Sequence, residues 1–244
     1  MALNNIFNKP FLLPSVEVGG IKTESFYIYP VQMSDYDEFQ EYSEILYISK
    51  DYFNNADKPL LVLLFTSRID LGLTIENFID VFCKLFSIVT KKEVTFSSVS
   101  YKEGFMVDNE IIINPNNYEI VREIIMKQNV MFERKVFKSK IVQDWAMKVL
   151  ESKMKGHAKI GIEEMLTTVS TRTGKHYWDL EKYSIYQIYS EFYRIRKGKE
   201  YDFSMMAACQ GAEIDSIDFA EDLDLYKSPY DDLFVDNDKL NKFN

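Results

Sequence analysis

Between residues 75 and 89 the large apolar side chains fall at helical spacing. Ile75, Phe78, Ile79, Phe82, Leu85 and Phe86 share one broad face, and Thr74 stands where a cap is needed. The pattern predicts a helix over 75–89. Tyr36, Phe39, Tyr42, Ile45 and Leu46 repeat the spacing after Ser34 and the early acid Asp37, predicting a helix over about 34–48. The run LLVLLF at 60–65 suits a buried strand or a buried helix by length alone. The preceding Asp57-Lys58-Pro59 favours a helix over 60–67, because proline is tolerated in a first turn. Tyr118, Val121, Ile124 and Ile125 mark the inner face of a further helix, capped by Asn116 or Asn117 and running to about Gln128.

Alternation replaces helical spacing elsewhere. Residues 11–14 and 24–31 are rich in aromatic and β-branched residues, with Gly19-Gly20 as the turn between them. Segments 94–101, 105–107 and 110–114 read as strands of an antiparallel meander, separated by turns carrying Gly104 and Asp108-Asn109. From Lys138 onward the pattern is helical, at 139–155, 160–171, 180–196 and 203–210, with KGHAK at 155–159 separating the first two. Val142, Trp145, Ala146, Val149 and Leu150 form the inner stripe expected of the first, with lysines opposite. The fold class expected is α+β: a mixed domain over 1–133 with a small antiparallel sheet and packed helices, an all-α domain over 134–217, and an acidic tail over 218–244.

Composition narrows the class. Apolar residues are 46% of the 244 and aromatics 15%, too much hydrophobic mass for a disordered chain. Only nine glycines occur, so glycine-rich phosphate loops have little to be built from. The N-terminus lacks a cationic segment followed by an apolar run, and the run at 60–65 falls far short of the roughly 20 residues a membrane-spanning helix needs. Cys83 and Cys209 lie far apart, each with small or apolar neighbours, and are expected as buried thiols in a reducing compartment. The expectation is a cytoplasmic, soluble protein with no membrane partner.

The net charge of −9 argues against general nucleic-acid binding. Its distribution is uneven: residues 134–159 are strongly basic, and residues 200–238 carry a single basic side chain, Lys227, among many acids. Such asymmetry permits head-to-tail attraction between copies or two separate partner surfaces. The basic stretch has only Phe132, Phe137 and Trp145 as aromatic complement and no stacking motif, so nucleic acid is disfavoured there too.

No catalytic, cofactor or metal site is expected. The pair Gly174-Lys175 resembles the end of a phosphate loop, but Val169 and His176 stand where that motif needs a glycine and a Ser or Thr. Gly174 reads instead as a helix terminator. His157 and His176 are the only histidines and lack neighbours at ligand spacing. The adjacent acid pairs, such as Glu163-Glu164, diverge by about 100° on a helix. What stands out is an aromatic surplus over 183–193. Tyr183, Tyr186, Tyr189, Phe192 and Tyr193, with Ile185, Ile188 and Ile195, put bulky groups nearly all round one helix. Core packing needs only one stripe of them, and tyrosine suits a surface that is alternately wet and bound. These five aromatic residues are the candidate protein-binding set.

The pieces IEEM at 162–165, Thr173-Gly174, Asp179-Leu180, Tyr186-Gln187 and Arg194-Ile195, in this order, resemble tail-assembly proteins of tailed bacteriophages. FLLPS at 11–15 and INPNNYEIVREIIMKQN at 113–129 are similar to further segments of that family. The resemblance covers about a third of the chain and carries no catalytic residue. It implies a tail assembly chaperone that binds the tape-measure protein, or the tail tube or baseplate proteins, with self-association allowed. The alternative it implies is a structural component of the virion tail. An enzyme or a nucleic-acid-binding protein comes third.

Overall fold

The computed structural model describes residues 8–18, 20–53, 57–68, 72–99, 102–133, 139–154, 160–213, 219–220 and 222–226. The fold is α+β, with small antiparallel sheets and helices in the N-terminal part and helices alone in the described C-terminal part. The chain divides into two compact units, one of residues 1–134 and 176–188, the other of residues 135–175 and 189–244.

The first unit opens with two nested antiparallel ladders. Strand β1 (Phe11–Leu13) pairs with β4 (Phe26–Ile28), and inside them β2 (Val16–Val18) pairs with β3 (Ile21–Thr23). Gly20 takes a φ of 79° in the inner turn, a left-handed conformation that glycine adopts without steric cost. The Thr23 hydroxyl closes the inner ladder, accepting from the Val16 N–H and donating to the Val16 carbonyl. Two longer strands were expected here; the chain instead makes four of three residues each.

The meander is as expected. Strands β5 (Thr95–Val99), β6 (Lys102–Val107) and β7 (Glu110–Ile113) are antiparallel and adjacent in that order. Asp108 and Asn109 both have positive φ in the β6–β7 turn, which is how a two-residue hairpin matches strand twist. Gly104 is needed for a different reason. A Cβ built there would lie 2.5 Å from the Ile113 carbonyl oxygen, so only glycine lets β6 and β7 approach. The Glu24 N–H donates to the Ile111 carbonyl at 2.8 Å, fastening the nested ladders to this sheet.

Helices α1 (Tyr36–Ser43), α2 (Leu60–Thr66), α3 (Ile75–Thr90) and α4 (Tyr118–Gln128) complete the core. Thr74 caps α3, its hydroxyl accepting from the Asn77 N–H at 3.2 Å. The run at 60–66 is helical, as its proline entry suggested. Pro59 offers no side-chain cap, and Glu119 of α4 supplies one, accepting from the Leu60 N–H at 3.2 Å while pairing with Lys50 at 2.8 Å. Partial burial works to raise the Glu119 pKa, but those hydrogen bonds outweigh it and hold the carboxyl below its ordinary value. Phe78, Phe82 and Phe86 of α3 meet Phe105 and Tyr118 in an aromatic cluster, with ring centroids 4.9 to 6.4 Å apart.

Asn117 holds the N-cap position of α4, but its side chain turns back toward β7. Its amide accepts from the Asn114 N–H at 2.8 Å and donates to the Ile112 carbonyl at 2.7 Å. The asparagine pair therefore fixes the strand-to-helix turn rather than capping the helix. Within α4, Arg122, 5% exposed, donates from Nε to the Leu46 carbonyl at 2.8 Å and pairs with Glu133.

Candidate interaction surface

The second unit consists, among its described residues, of α5 (Lys140–Met154), α6 (Ile162–Thr173), most of α8 (Ile185–Cys209) and short segments at 210–213 and 219–226. Helix α6 begins at Gly161, whose N–H donates to the Glu164 carboxylate at 2.9 Å. It ends at Gly174, with φ 73° and its N–H on the Ser170 carbonyl at 2.9 Å. The Gly-Lys pair is thus a helix terminator, as expected. Lys175 then pairs with Glu191 at 2.6 Å, both side chains about one third exposed, which joins the end of α6 to α8.

Helix α8 starts later than expected and does not break. Ser184 and Gln187 form a reciprocal box at its start: the Ser184 hydroxyl accepts from the Gln187 N–H at 3.2 Å, and the Gln187 side chain accepts from the Ser184 N–H at 2.8 Å. The preceding helix α7 is one turn, Tyr177–Leu180. Two helices, 180–196 and 203–210, were expected where one of 25 residues stands. Gly198 lies inside this helix. Ion pairs on either side of it, Arg196 with Glu200 at 3.6 Å and Lys199 with Asp202 at 3.2 Å, support the helix through that point.

The five candidate aromatic residues fall in two groups. Tyr183 and Tyr186 are half-buried and belong to the first unit, where the Tyr183 carbonyl accepts from the Met33 N–H at 2.8 Å. Tyr189, Phe192 and Tyr193 belong to the second. There Phe192 is 6% exposed and edge-on to Tyr193 at 5.5 Å, with Tyr189 6.3 Å from Tyr193. Ile185 and Ile188 are buried.

Helices α5 and α8 carry large apolar side chains that are more open to water. On α5 they are Ile141 at 81% exposure, Trp145 and Met147; near the end of α8 they are Phe203 at 73%, Met205 and Met206. The α5 stripe expected to face inward does so in part. Ala146 is buried and Val142 and Val149 are half-buried, but Trp145 is 46% exposed. The side chain of Leu150 lies outside the described residues, as do the KGHAK stretch, His157, Phe137 and most of the acidic tail. Hydrophobic periodicity pointed to which residues are apolar. It gave no sign that Ile141 or Phe203 would be left in water, because that depends on which neighbours the helix meets.

No group of three or more His, Cys, Asp and Glu side chains among the described residues is placed to hold a metal ion. His176 stacks on Trp178 with centroids 4.6 Å apart. Cys83 is half-buried and burial, with Asp80 nearby, pushes its thiol up to about 11, so it is a poor nucleophile near neutrality. Cys209 was expected to be buried and is exposed, because it sits on the water-facing last turn of α8. In the first unit an apolar cavity of about 80 Å³ is lined by Leu61, Val62, Phe65, Phe78, Phe96 and Phe105 among others; its dry walls present no converging polar groups beyond Glu103. Among the described residues no helix is long and apolar enough to cross a membrane.

The model of the YomV second domain, a phage-derived family, matches residues 153–224, the stretch that holds α6, α7 and α8. The chain is similar to that domain over those residues, which fits a phage protein. No curated protein and no solved structure matches the chain.

Proposed function

We propose that the protein is a non-enzymatic morphogenesis factor of a tailed phage, an assembly chaperone that binds the tape-measure or tail tube protein through its helical second unit. The observation that carries this reading is the open apolar surface of that unit. Ile141 and Trp145, one turn apart on the same face of α5, are exposed among lysines and acids. Soluble proteins that show large apolar side chains together on a helix generally use them to hold a partner. Tryptophan suits such a surface, since it buries much area at small entropic cost.

A tape-measure protein is long and helical and must be kept from aggregating until the tube forms around it. An amphipathic client helix would lay its apolar stripe on this surface, and the charges around the surface would keep the complex soluble. The phage-derived family match over residues 153–224, nearly all of which follow α5, supports the phage setting, as does the resemblance of the segments at 162–195 to tail-assembly proteins. The protein would act in the host cytoplasm and leave the tail when assembly ends.

The test is co-expression of the protein with the tape-measure protein and, separately, with the tail tube protein, followed by pull-down. Capture of either client, lost in Ile141→Glu and Trp145→Glu variants that keep the native helix content, is the expected result. Capture of neither overturns the proposal. Mass spectrometry of purified particles separates a chaperone, absent or trace, from a structural tail protein, which would be stoichiometric.

A further inference from the structure

The three-stranded sheet of the first unit is occupied on one edge and open on the other. Along β7 the Glu24 N–H bonds to the Ile111 carbonyl, which lays the end of β3 beside that strand. Strand β5 forms the opposite edge, and among the described residues its backbone hydrogen-bonds to β6 alone. Alternate residues of such a strand turn their N–H and C=O outward. The row of donors and acceptors they make is matched by another extended backbone.

Edge strands are commonly guarded by a charge, a proline or a bulge. The exposed inner ladder has such a guard, with Glu17 on β2 opposite Lys22 on β3. Strand β5, Thr-Phe-Ser-Ser-Val, has neither charge nor proline, and its register with β6 runs unbroken from Thr95 to Val99.

The same five residues are complementary to themselves. A two-fold axis perpendicular to the sheet keeps every side chain on its own face, so it must pass between two identical residues. Centred on Ser97, it pairs the whole strand: Thr95 with Val99, Phe96 with Ser98, and Ser97 with Ser97. Centred on Phe96 or Ser98, it pairs only three residues of each strand. No charged side chain lies on either strand, so no like charges meet. Phe96 is half-buried and packs on Phe105 with centroids 5.1 Å apart. In this register it stands across from the small Ser98 and diagonal to Phe96 of the other copy, a spacing that aromatic side chains bridge.

We propose that β5 is a homodimer interface, where a second copy of the chain adds its own β5 antiparallel about Ser97. The two three-stranded sheets then become one of six, in the order β7-β6-β5-β5-β6-β7. The pairing involves the first unit only and does not rest on the client reading of α5. Each strand contributes five residues, so the contact is small and the dimer forms in the micromolar range or above.

Sedimentation of the full chain from about 1 to about 300 µM tests it. The mass should rise from 28.7 kDa toward twice that value with concentration. Over the same range, hydrogen exchange of the backbone amides in 95–99 should slow. Ser97→Glu and Ser97→Lys each set like charges directly opposite, and each alone should stay monomeric while keeping native circular dichroism. An equal mixture of the two variants should dimerise again, because glutamate then faces lysine. A native chain that stays monomeric throughout overturns the proposal. So does a dimer that leaves exchange in β5 unchanged, one that Ser97→Glu leaves intact, or a mixture no tighter than either variant alone.

Discussion

Replacing Tyr118 by phenylalanine should stabilise the protein, the reverse of what a substitution deep in a core usually does. Tyr118 is fully buried, edge-on to Phe82 at 5.6 Å and to Phe86 at 6.4 Å. Its hydroxyl is sealed from solvent and meets no hydrogen-bond partner. An unpaired buried hydroxyl costs about 1–3 kcal/mol relative to water, and removing one oxygen leaves a void smaller than a methylene would, costing under about 1 kcal/mol. The net expectation is a gain of about 1 kcal/mol, read as a higher urea midpoint at unchanged slope. Alkaline pH adds a second signature. Burial pushes the Tyr118 phenol above its ordinary range, so the unfolded chain releases that proton first as pH rises. Its effect on stability is nil below about pH 10, and above that the native protein loses up to about 1.4 kcal/mol per pH unit from this group. The phenylalanine variant escapes that loss, and its advantage should widen by about 1 kcal/mol between pH 10 and 11. A midpoint equal to or below that of the native chain at neutral pH, or an advantage that does not grow with pH, would refute the reasoning.

Two further outcomes follow from α8 and the thiols. Gly198 lies inside the helix with open space where a Cβ would go, so Gly198→Ala should stabilise by about 0.5–1 kcal/mol in the same urea titration; a loss of stability would mean the helix bends or opens there. A thiol reagent at neutral pH should label one cysteine per chain quickly, Cys209, with Cys83 reacting only slowly because its thiol is half-buried and held near 11; Cys209→Ser should abolish the fast phase, and a fast phase that survives would contradict the assignment.

Much of the first unit was legible in the sequence because its signals are local and agree with one another. Thr74 before a wide apolar face, Pro59 before LLVLLF and Asp108-Asn109 between alternating runs each name one element, and each element is there. The nested ladders were harder to read. Strands of three residues are too short to show alternation, and what defines them is the pairing of Leu13 with Phe26 and Val16 with Thr23 across the turn. Helix α8 was misjudged at both ends of a rule. The helix continues through 197–202, where the expectation left a gap and flanking ion pairs support it, and its start was written in Ser184 and Gln187 as a capping box within the tyrosine-rich run. The candidate surface was the least legible. Tyr186, Tyr189 and Tyr193 look like the exposed excess by composition, yet Ile141 and Phe203 are the side chains left most open. Exposure is a property of neighbours that no local pattern records.

The central claim is that α5 of the second unit holds a client of the tail. Light scattering of the tape-measure protein, produced with and without this chain, tests it most directly. The native chain should keep the client soluble at near-equal molar ratio, and the variant with Ile141→Glu and Trp145→Glu, folded by circular dichroism, should not. If the variant protects as well as the native chain, or if the native chain gives no protection to the tape-measure or the tail tube protein, the claim is wrong.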